Sequence, residues 1–113
     1  MLPTTEYCAK RRILSVFLKG ELDHHTARPA RELCDMALNK YRPALLVLDF
    51  SSVTFMDSSG IGLVMGRYKR MQELRADVLI ANPPPQVEKL MRIASIDKLV
   101  RIVYTAHTAS VKE

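Results

Sequence analysis

The sequence has no tryptophan, and aromatic residues make up only 6% of it. A buried core must therefore be built mainly from leucine, isoleucine, valine and methionine. The chain also lacks any apolar run near the roughly 18 residues that a membrane span requires. Its first residues, from Met1 to Glu6, do not show the basic and then apolar order of a signal peptide. We therefore expect a cytoplasmic protein with no membrane segment.

Cysteine is scarce as well, and metal-binding patterns are missing. Cys8 and Cys34 are the two cysteines, and they form no C-x-x-C pair. In a reducing compartment, two free thiols that face the core are expected rather than a disulfide. The adjacent His24 and His25 would point about 100° apart on a helix, and the remaining ligands of a metal site are not arranged around them. We expect no metal and no cofactor, and we interpret the histidine pair as an exposed helix entry.

The charge balance is basic but not concentrated. The net charge of +5 is spread along the chain, with small clusters at 10–12 and 67–70. No helix-turn-helix signature accompanies these clusters, so direct nucleic-acid binding is not expected. We interpret the basic residues as solvated surface or as a docking patch for an acidic protein.

Length and patterning predict a single α/β domain over 1–113. The chain has 113 residues, 48% hydrophobic and 26% charged, which suits one compact soluble domain and not two. After an opening pair of strands, helical and strand-like patterns alternate, as is typical of helices packed on one sheet. We expect a mixed sheet of four to five strands with about four helices.

The hydrophobic periodicity also places the elements. Lys10 and Arg11 are expected to form the first turn, and Gly20 to end the second strand. Helices are expected after Asp23 or Thr26, within 57–74, and from Pro85 onward. The tail, 105–113, is interpreted as one more helical turn or a frayed end. The predicted strands are 5–9, 12–19, 44–50, 77–81 and 99–104.

Three glycines, Gly60, Gly62 and Gly66, lie off the predicted apolar stripe of the second helix. Each lowers helix stability by up to about 1 kcal/mol relative to alanine. Such a cost needs a structural or functional reason. We expect another backbone, from the sheet or from a partner, to approach the helix closely at these positions.

The stretch Asp57-Ser58-Ser59-Gly60 falls where a buried strand is expected to give way to a helix. The first backbone N–H groups of a helix have no partner within it, and the helix dipole there favours negative charge. A serine hydroxyl at this position can cap the helix, attack a substrate or accept a phosphoryl group.

Known catalytic motifs do not fit this stretch. The residues two before Ser58 and Ser59 are Met56 and Asp57 rather than glycine, so the G-x-S-x-G nucleophile elbow is absent. The last glycine of 60–66 comes one position too late for G-x-G-x-x-G, and no Walker A loop is present. We interpret Ser58 as a phosphorylation switch on a non-enzymatic binding domain, with a small nucleotide-binding domain as the alternative.

Asp23 and Asp57 would both flank this hydroxyl if the two loops lie at the same end of the sheet. Simple N-capping explains each carboxylate equally well. A phosphoserine would add about −1.5 to −2 charges at neutral pH. The helix start would tolerate this charge and the two carboxylates would repel it, so the surface would change more than the fold.

Two stretches carry a family resemblance, Gly20-Glu21-Leu22-Asp23-His24-His25-Thr26-Ala27 and Phe55-Met56-Asp57-Ser58-Ser59-Gly60-Ile61-Gly62, followed by Gly66-Arg67-Tyr68-Lys69. Together they closely resemble bacterial anti-sigma factor antagonists of the STAS domain family. Within this family the chain is most similar to the sporulation antagonists of endospore-forming bacteria. The Pro83-Pro84-Pro85 run and the absence of a glycine turn at 72–77 depart from the family pattern.

The resemblance implies that Ser58 is the phosphoacceptor and that the unphosphorylated protein binds an anti-sigma factor. That partner would be a serine kinase carrying ATP or ADP, and its release of the sigma factor would end when it phosphorylates Ser58. A PP2C-type phosphatase would restore binding, and the free antagonist would be a monomer. A general stress-response pathway is the alternative within the family. The implied partner-binding residues are Glu21, Asp23, His24, Thr26, Asp57, Ser59, Gly60 and Gly62.

Overall fold

The computed structural model describes residues 2–105, which form one sheet with helices packed on it. Three α-helices and one 3-10 helix account for the predicted total of about four. In chain order the elements are β1 (Thr4–Cys8), β2 (Ile13–Leu22), α1 (Ala27–Tyr41), β3 (Leu45–Met56), α2 (Ser58–Glu73), β4 (Asp77–Ala81), α3 (Pro85–Ile93), the 3-10 helix (Ile96–Lys98) and β5 (Arg101–Val103).

The sheet is mixed, as predicted, and its strand order follows the chain order from β1 to β5. β1 pairs antiparallel with β2, whereas β2, β3, β4 and β5 run parallel to their neighbours. Parallel strands have their carboxyl ends at the same end of a sheet. The loops that follow β2 and β3 are therefore neighbours, and both lead directly into helices.

The core follows the predicted hydrophobic pattern. Leu14, Val16 and Leu18 alternate along β2 with relative exposures of 0%, 0% and 1%, so one face of this strand is fully buried. β3 is buried on both faces from Leu46 to Phe50, as its unbroken apolar run predicts. No helix among the described residues is both long and apolar enough to cross a lipid bilayer.

The two central strands are longer than predicted. β2 continues through Gly20, which has a positive φ of 71° beside an irregularity in the pairing with β3. β3 continues beyond Phe50 to Met56, because 51–56 pairs with the last residues of β2. Polar residues and the bulge interrupt the period-two pattern there, so periodicity alone missed the extension. The extension delivers Asp57 to the end of the sheet.

The last predicted strand is shorter than expected. The 3-10 helix at Ile96–Lys98 comes just before the predicted range of 99–104, and within that range β5 covers only Arg101–Val103. Asn82, with φ of 57°, accepts a hydrogen bond from the Thr105 N–H at 2.9 Å and donates one to the buried Asp49 carboxylate at 3.2 Å. This network attaches the end of β5 to the interior of β3. The predicted tail from 106 onward lies outside the described residues.

Both cysteines are free thiols, as expected from their spacing. Cys34 is fully buried on α1, and burial raises the pKa of its thiol to about 12. Cys8 is half-buried on β1.

The glycines of α2 do not share one role. Gly60 belongs to the buried face of the helix, contrary to its predicted position off the stripe. A Cβ at Gly60 would lie 2.3 Å from Met56 Cγ and 3.2 Å from Leu22 Cδ2, so side chains rather than another backbone crowd it. A Cβ at Gly62 or Gly66 would meet no atom within 4 Å. A side chain at position 60 would therefore force the buried Met56 side chain to move, whereas positions 62 and 66 have room for one in the described chain.

This difference predicts opposite effects of alanine on stability. Gly60→Ala should lower the free energy of unfolding by roughly 1–3 kcal/mol, because the new methyl group overpacks the contact with Met56. Gly62→Ala should raise it by up to about 1 kcal/mol, because the open site accepts the methyl group and alanine favours the helix. Urea unfolding of the two variants measures both changes. Destabilisation of equal size in both would contradict this assignment of roles.

Candidate functional site

The carboxyl ends of β2 and β3 are joined in register. Leu22 pairs with Met56, and the main-chain N–H of Asp57 donates to the Leu22 carbonyl at 3.2 Å. Asp23 and Asp57 are the next residue on each strand. The structure thus brings the 20–27 loop and the Ser58 turn together at one end of the sheet, as is required for the two carboxylates to flank the Ser58 hydroxyl.

Asp57 caps α2. Its extended backbone precedes the first helical residue, and its Oδ1 accepts a hydrogen bond from the Ser59 N–H at 2.8 Å. The Gly60 N–H also donates to the Asp57 carbonyl at 3.0 Å. Because Asp57 supplies the cap, the hydroxyl of Ser58 is not required for it. Ser58 is exposed at the first position of the helix.

Asp23 organises the loop before α1. Its Oδ1 accepts hydrogen bonds from the main-chain N–H groups of His25 at 2.9 Å and Thr26 at 3.1 Å. The bond from the Thr26 N–H is the main reason why the pKa of this carboxyl lies below its ordinary value of 3.8, and the bond from His25 adds to it. The carboxylate is therefore held in its charged form at neutral pH.

Thr26 holds the same loop from the other side. Its hydroxyl donates to the Glu21 carbonyl at 2.7 Å and accepts from the Asp23 N–H at 2.9 Å. Of the two predicted N-cap residues, Asp23 and Thr26, it is Thr26 that immediately precedes α1. Its side chain, however, makes no capping hydrogen bond to the helix. The loop is thus fixed by its own side chains, with the Asp23 carboxylate bonded near the helix start.

The remaining predicted site residues differ in exposure. Glu21 and Gly62 are exposed, Ser59 is partly buried, and Gly60 is buried beneath the turn. His24 is exposed, with its ring centroid 4.0 Å from that of His25. Among residues 2–105, no group of three or more His, Cys, Asp or Glu side chains has a geometry that could hold a metal ion.

Three exposed residues near the site are not among the predicted docking residues. Phe55 pairs in register with Glu21 at the end of the sheet and is 50% exposed. Arg28 and Arg31, on the first turns of α1, line a cavity together with Ser59 of α2. Phe55 belongs to one of the motif stretches, whereas the only sequence signal for Arg28 and Arg31 is that they follow the other stretch closely.

Arg67 is buried, although the basic cluster at 67–70 was predicted to be solvated surface or a docking patch. Its side chain is only 8% exposed, and its Nε lies 3.1 Å from Asp35 Oδ1. Arg67 is on α2 and Asp35 on α1, so this pair joins the two helices that carry the site residues.

A model of the STAS domain family matches residues 6–109. The chain belongs to this family. An anti-sigma F factor antagonist of Paenibacillus polymyxa is 35% identical over 92 residues, which cover 81% of this chain and 79% of that protein. One of Lysinibacillus sphaericus is 29% identical over 86 residues, which cover 76% and 74%.

The fold has a close counterpart among solved structures. The anti-sigma factor antagonist SpoIIAA in its unphosphorylated form superposes with a TM-score of 0.80 at 25% identity. The match covers 97% of this chain and 93% of that one. The resemblance found in the motif stretches is thereby confirmed, as is the STAS-like α/β fold.

The capping role of Asp57 predicts a stability change at this turn. Asp57→Ala should lower the free energy of unfolding by about 1 kcal/mol, because the Ser59 N–H loses its acceptor. Ser58→Ala is the matched control and should stay within about 0.5 kcal/mol of wild type. Denaturant unfolding of both variants measures the difference, and equal losses would show that Asp57 is not the cap.

The lowered pKa of Asp23 predicts a contribution to acid stability. A carboxyl whose pKa is lower in the folded state stabilises the fold above its unfolded pKa, and this effect is lost as the pH falls through the folded pKa. Asp23→Asn retains an acceptor oxygen but cannot titrate, so its stability should fall less than that of wild type from about pH 4 downward. Thermal unfolding at several pH values tests this, and parallel curves for the two proteins would refute it.

Proposed function

We infer that this STAS domain is an anti-sigma factor antagonist of a sporulation sigma pathway, with Ser58 as its phosphoacceptor. The observation that carries the inference is the exposed Ser58 at a helix start whose cap is already supplied by Asp57. Family membership and the relatives named anti-sigma F factor antagonist support the same function. The unphosphorylated protein would bind the anti-sigma factor and so free the sigma factor.

The covalent step requires chemistry from the partner only. The anti-sigma factor, acting as a serine kinase, would bring the γ-phosphoryl group of its ATP to the Ser58 hydroxyl. The new bond joins Ser58 Oγ to phosphorus, the bond to the β-phosphate oxygen breaks, and ADP and the hydroxyl proton leave. The antagonist itself contributes an acceptor and no catalytic group, so we do not assign it enzymatic activity.

Phosphorylation would act on the surface rather than on the fold. The phosphoryl group adds about −1.5 to −2 charges at neutral pH, next to the start of α2. The helix dipole and unpaired N–H groups favour negative charge there, whereas the charged Asp23 and Asp57 oppose it. A partner fitted to the neutral hydroxyl would meet a bulky dianion, and a loss of about 3 kcal/mol would lower its affinity more than a hundredfold.

The docking face of this function consists of the Asp23 loop and the first turn of α2. Its members are adjacent because β2 and β3 end in register. A PP2C-type phosphatase would hydrolyse the phosphoserine and restore the face. We expect the free antagonist to act as a cytoplasmic monomer, and the docking residues to be Glu21, Asp23, His24, Thr26, Asp57, Ser59, Gly60 and Gly62.

Phosphate transfer to Ser58 can be measured directly. Incubation with the cognate anti-sigma kinase and ATP should add one phosphate per chain, and Ser58→Ala should abolish the addition. Ser59→Ala is the matched control: it removes the neighbouring hydroxyl but keeps the acceptor, so labelling should still reach one phosphate per chain even where the lost docking contact slows it. Intact-protein mass spectrometry gives the stoichiometry. Labelling that persists in Ser58→Ala and disappears in Ser59→Ala would move the site to Ser59.

A further inference from the structure

A basic cavity opens between the first turns of α1 and α2, beside the phosphoacceptor. Its volume is about 400 Å³. Ser59, the residue after the phosphoacceptor, lies in its wall together with Gly62 from the next turn of α2. α1 contributes the opposite wall. The complete lining is His24, Ala27, Arg28, Arg31, Ser59 and Gly62.

The charge of this cavity is one-sided. Arg28 and Arg31 are exposed, and no carboxylate is among the lining residues. Arg28 lies 3.5 Å from Glu32, but both side chains are more than half exposed, at 75% and 62%. An exposed pair of this kind contributes little and leaves the arginine free to exchange partners.

A second cavity between the same helices has a lining of mixed charge, which provides a comparison. It has a volume of about 510 Å³ and contains basic and acidic side chains together. There Arg67 lies 3.1 Å from Asp35, and Arg70 lies 3.2 Å from Glu73. The lining of the cavity beside Ser59 contains no acidic side chain, and Glu32, the ion-pair partner of Arg28, lies outside it. A carboxylate of a bound partner can therefore take the place of Glu32.

The wall formed by Gly62 is open. No atom of the described chain lies within 4 Å of the position that a Cβ would take there. The fold therefore gives no reason for glycine at this exposed helical position. A ligand that enters the cavity would pass close to the α2 backbone at this point, and a side chain would narrow the entrance.

We propose that this cavity receives a carboxylate-bearing segment of the anti-sigma kinase. The inference rests on the proposed function and adds the chemistry of the partner. Two features favour an acidic protein segment: the two exposed arginines in a lining without a carboxylate, and the direct continuity with Ser59 at the phosphoacceptor turn. The docking face would then combine a negative part, at Asp23 and Asp57, with a positive part at Arg28 and Arg31.

A docking face with separate negative and positive parts fixes the orientation of the bound partner. A partner that places a basic group against Asp23 and an acidic group in the cavity is held in one register over Ser58. Complementary charges of this kind increase the association rate and exclude partners with the opposite arrangement. Arg28 and Arg31 would thus determine which kinase reaches the hydroxyl, without touching the reacting atoms.

Charge reversal tests the proposal. The full-length, unphosphorylated Arg28→Glu/Arg31→Glu variant should bind the ADP-loaded cognate kinase roughly tenfold or more weakly than wild type at low ionic strength. The loss should shrink at high ionic strength, because exposed charges are screened. Calorimetry or surface plasmon resonance measures both affinities, and thermal unfolding checks that the variant is folded.

The matched control changes the net charge of the protein by the same amount at a distant position. Lys10 and Arg11 are exposed in the turn between β1 and β2, at the opposite end of β2 from Asp23. Lys10→Glu/Arg11→Glu should bind within about twofold of wild type. Equal losses in the two double variants, or a loss that does not respond to salt, would overturn the proposed cavity contact alone. Failure of the wild-type protein to bind the kinase would overturn the proposed function with it.

Discussion

The parallel pairing of β2 with β3 holds the two halves of the site together, and a main-chain hydrogen bond from the Asp57 N–H to the Leu22 carbonyl extends it to the site. The residue pairs of the two strands continue to the last residue of each strand. Beyond these pairs, β3 leads into α2 through Asp57 alone, and β2 leads into α1 through the 23–26 loop. An aspartate organises each of these connections. Asp57 bonds to the Ser59 N–H and Asp23 to the Thr26 N–H, so both carboxylates are committed to backbone groups. The site is therefore a product of strand register, and its side chains add local order to positions that the sheet has already fixed.

This arrangement separates the scaffold from the surface that carries the proposed phosphoacceptor. The core beneath the site includes Leu22, Met56 and Gly60, whose packing leaves no room for an added methyl group. Ser58, on the same first turn of α2 as Gly60, is exposed and carries no part of the cap. A charge added to the Ser58 hydroxyl would thus meet water, a helix dipole and two carboxylates, and would not enter the core. A domain with this division of roles can change its binding surface without refolding.

The predictable parts of the structure were those with local signals. Leu14, Val16 and Leu18 marked the buried face of β2 because alternation of apolar residues is a short-range property. The extension of β3 past Phe50 was hidden, since its polar residues are stabilised by pairing with the distant end of β2. The motif stretches led to the family and to Ser58, whereas Arg28 and Arg31 were not assigned to any site. Their cavity forms because α1 and α2 begin side by side. The distance between two helices that are separated in the chain cannot be inferred from the periodicity of either one.

The outer strands have a consequence for how the domain meets other proteins. β1, at one margin of the sheet, exposes Thr4, Thr5 and Glu6. β5, at the other margin, is only three residues long. Short or polar marginal strands discourage the addition of a foreign strand, which is the usual route to sheet-mediated aggregation. Binding by strand addition is therefore disfavoured, which agrees with the proposed docking through side chains that follow the carboxyl ends of β2 and β3.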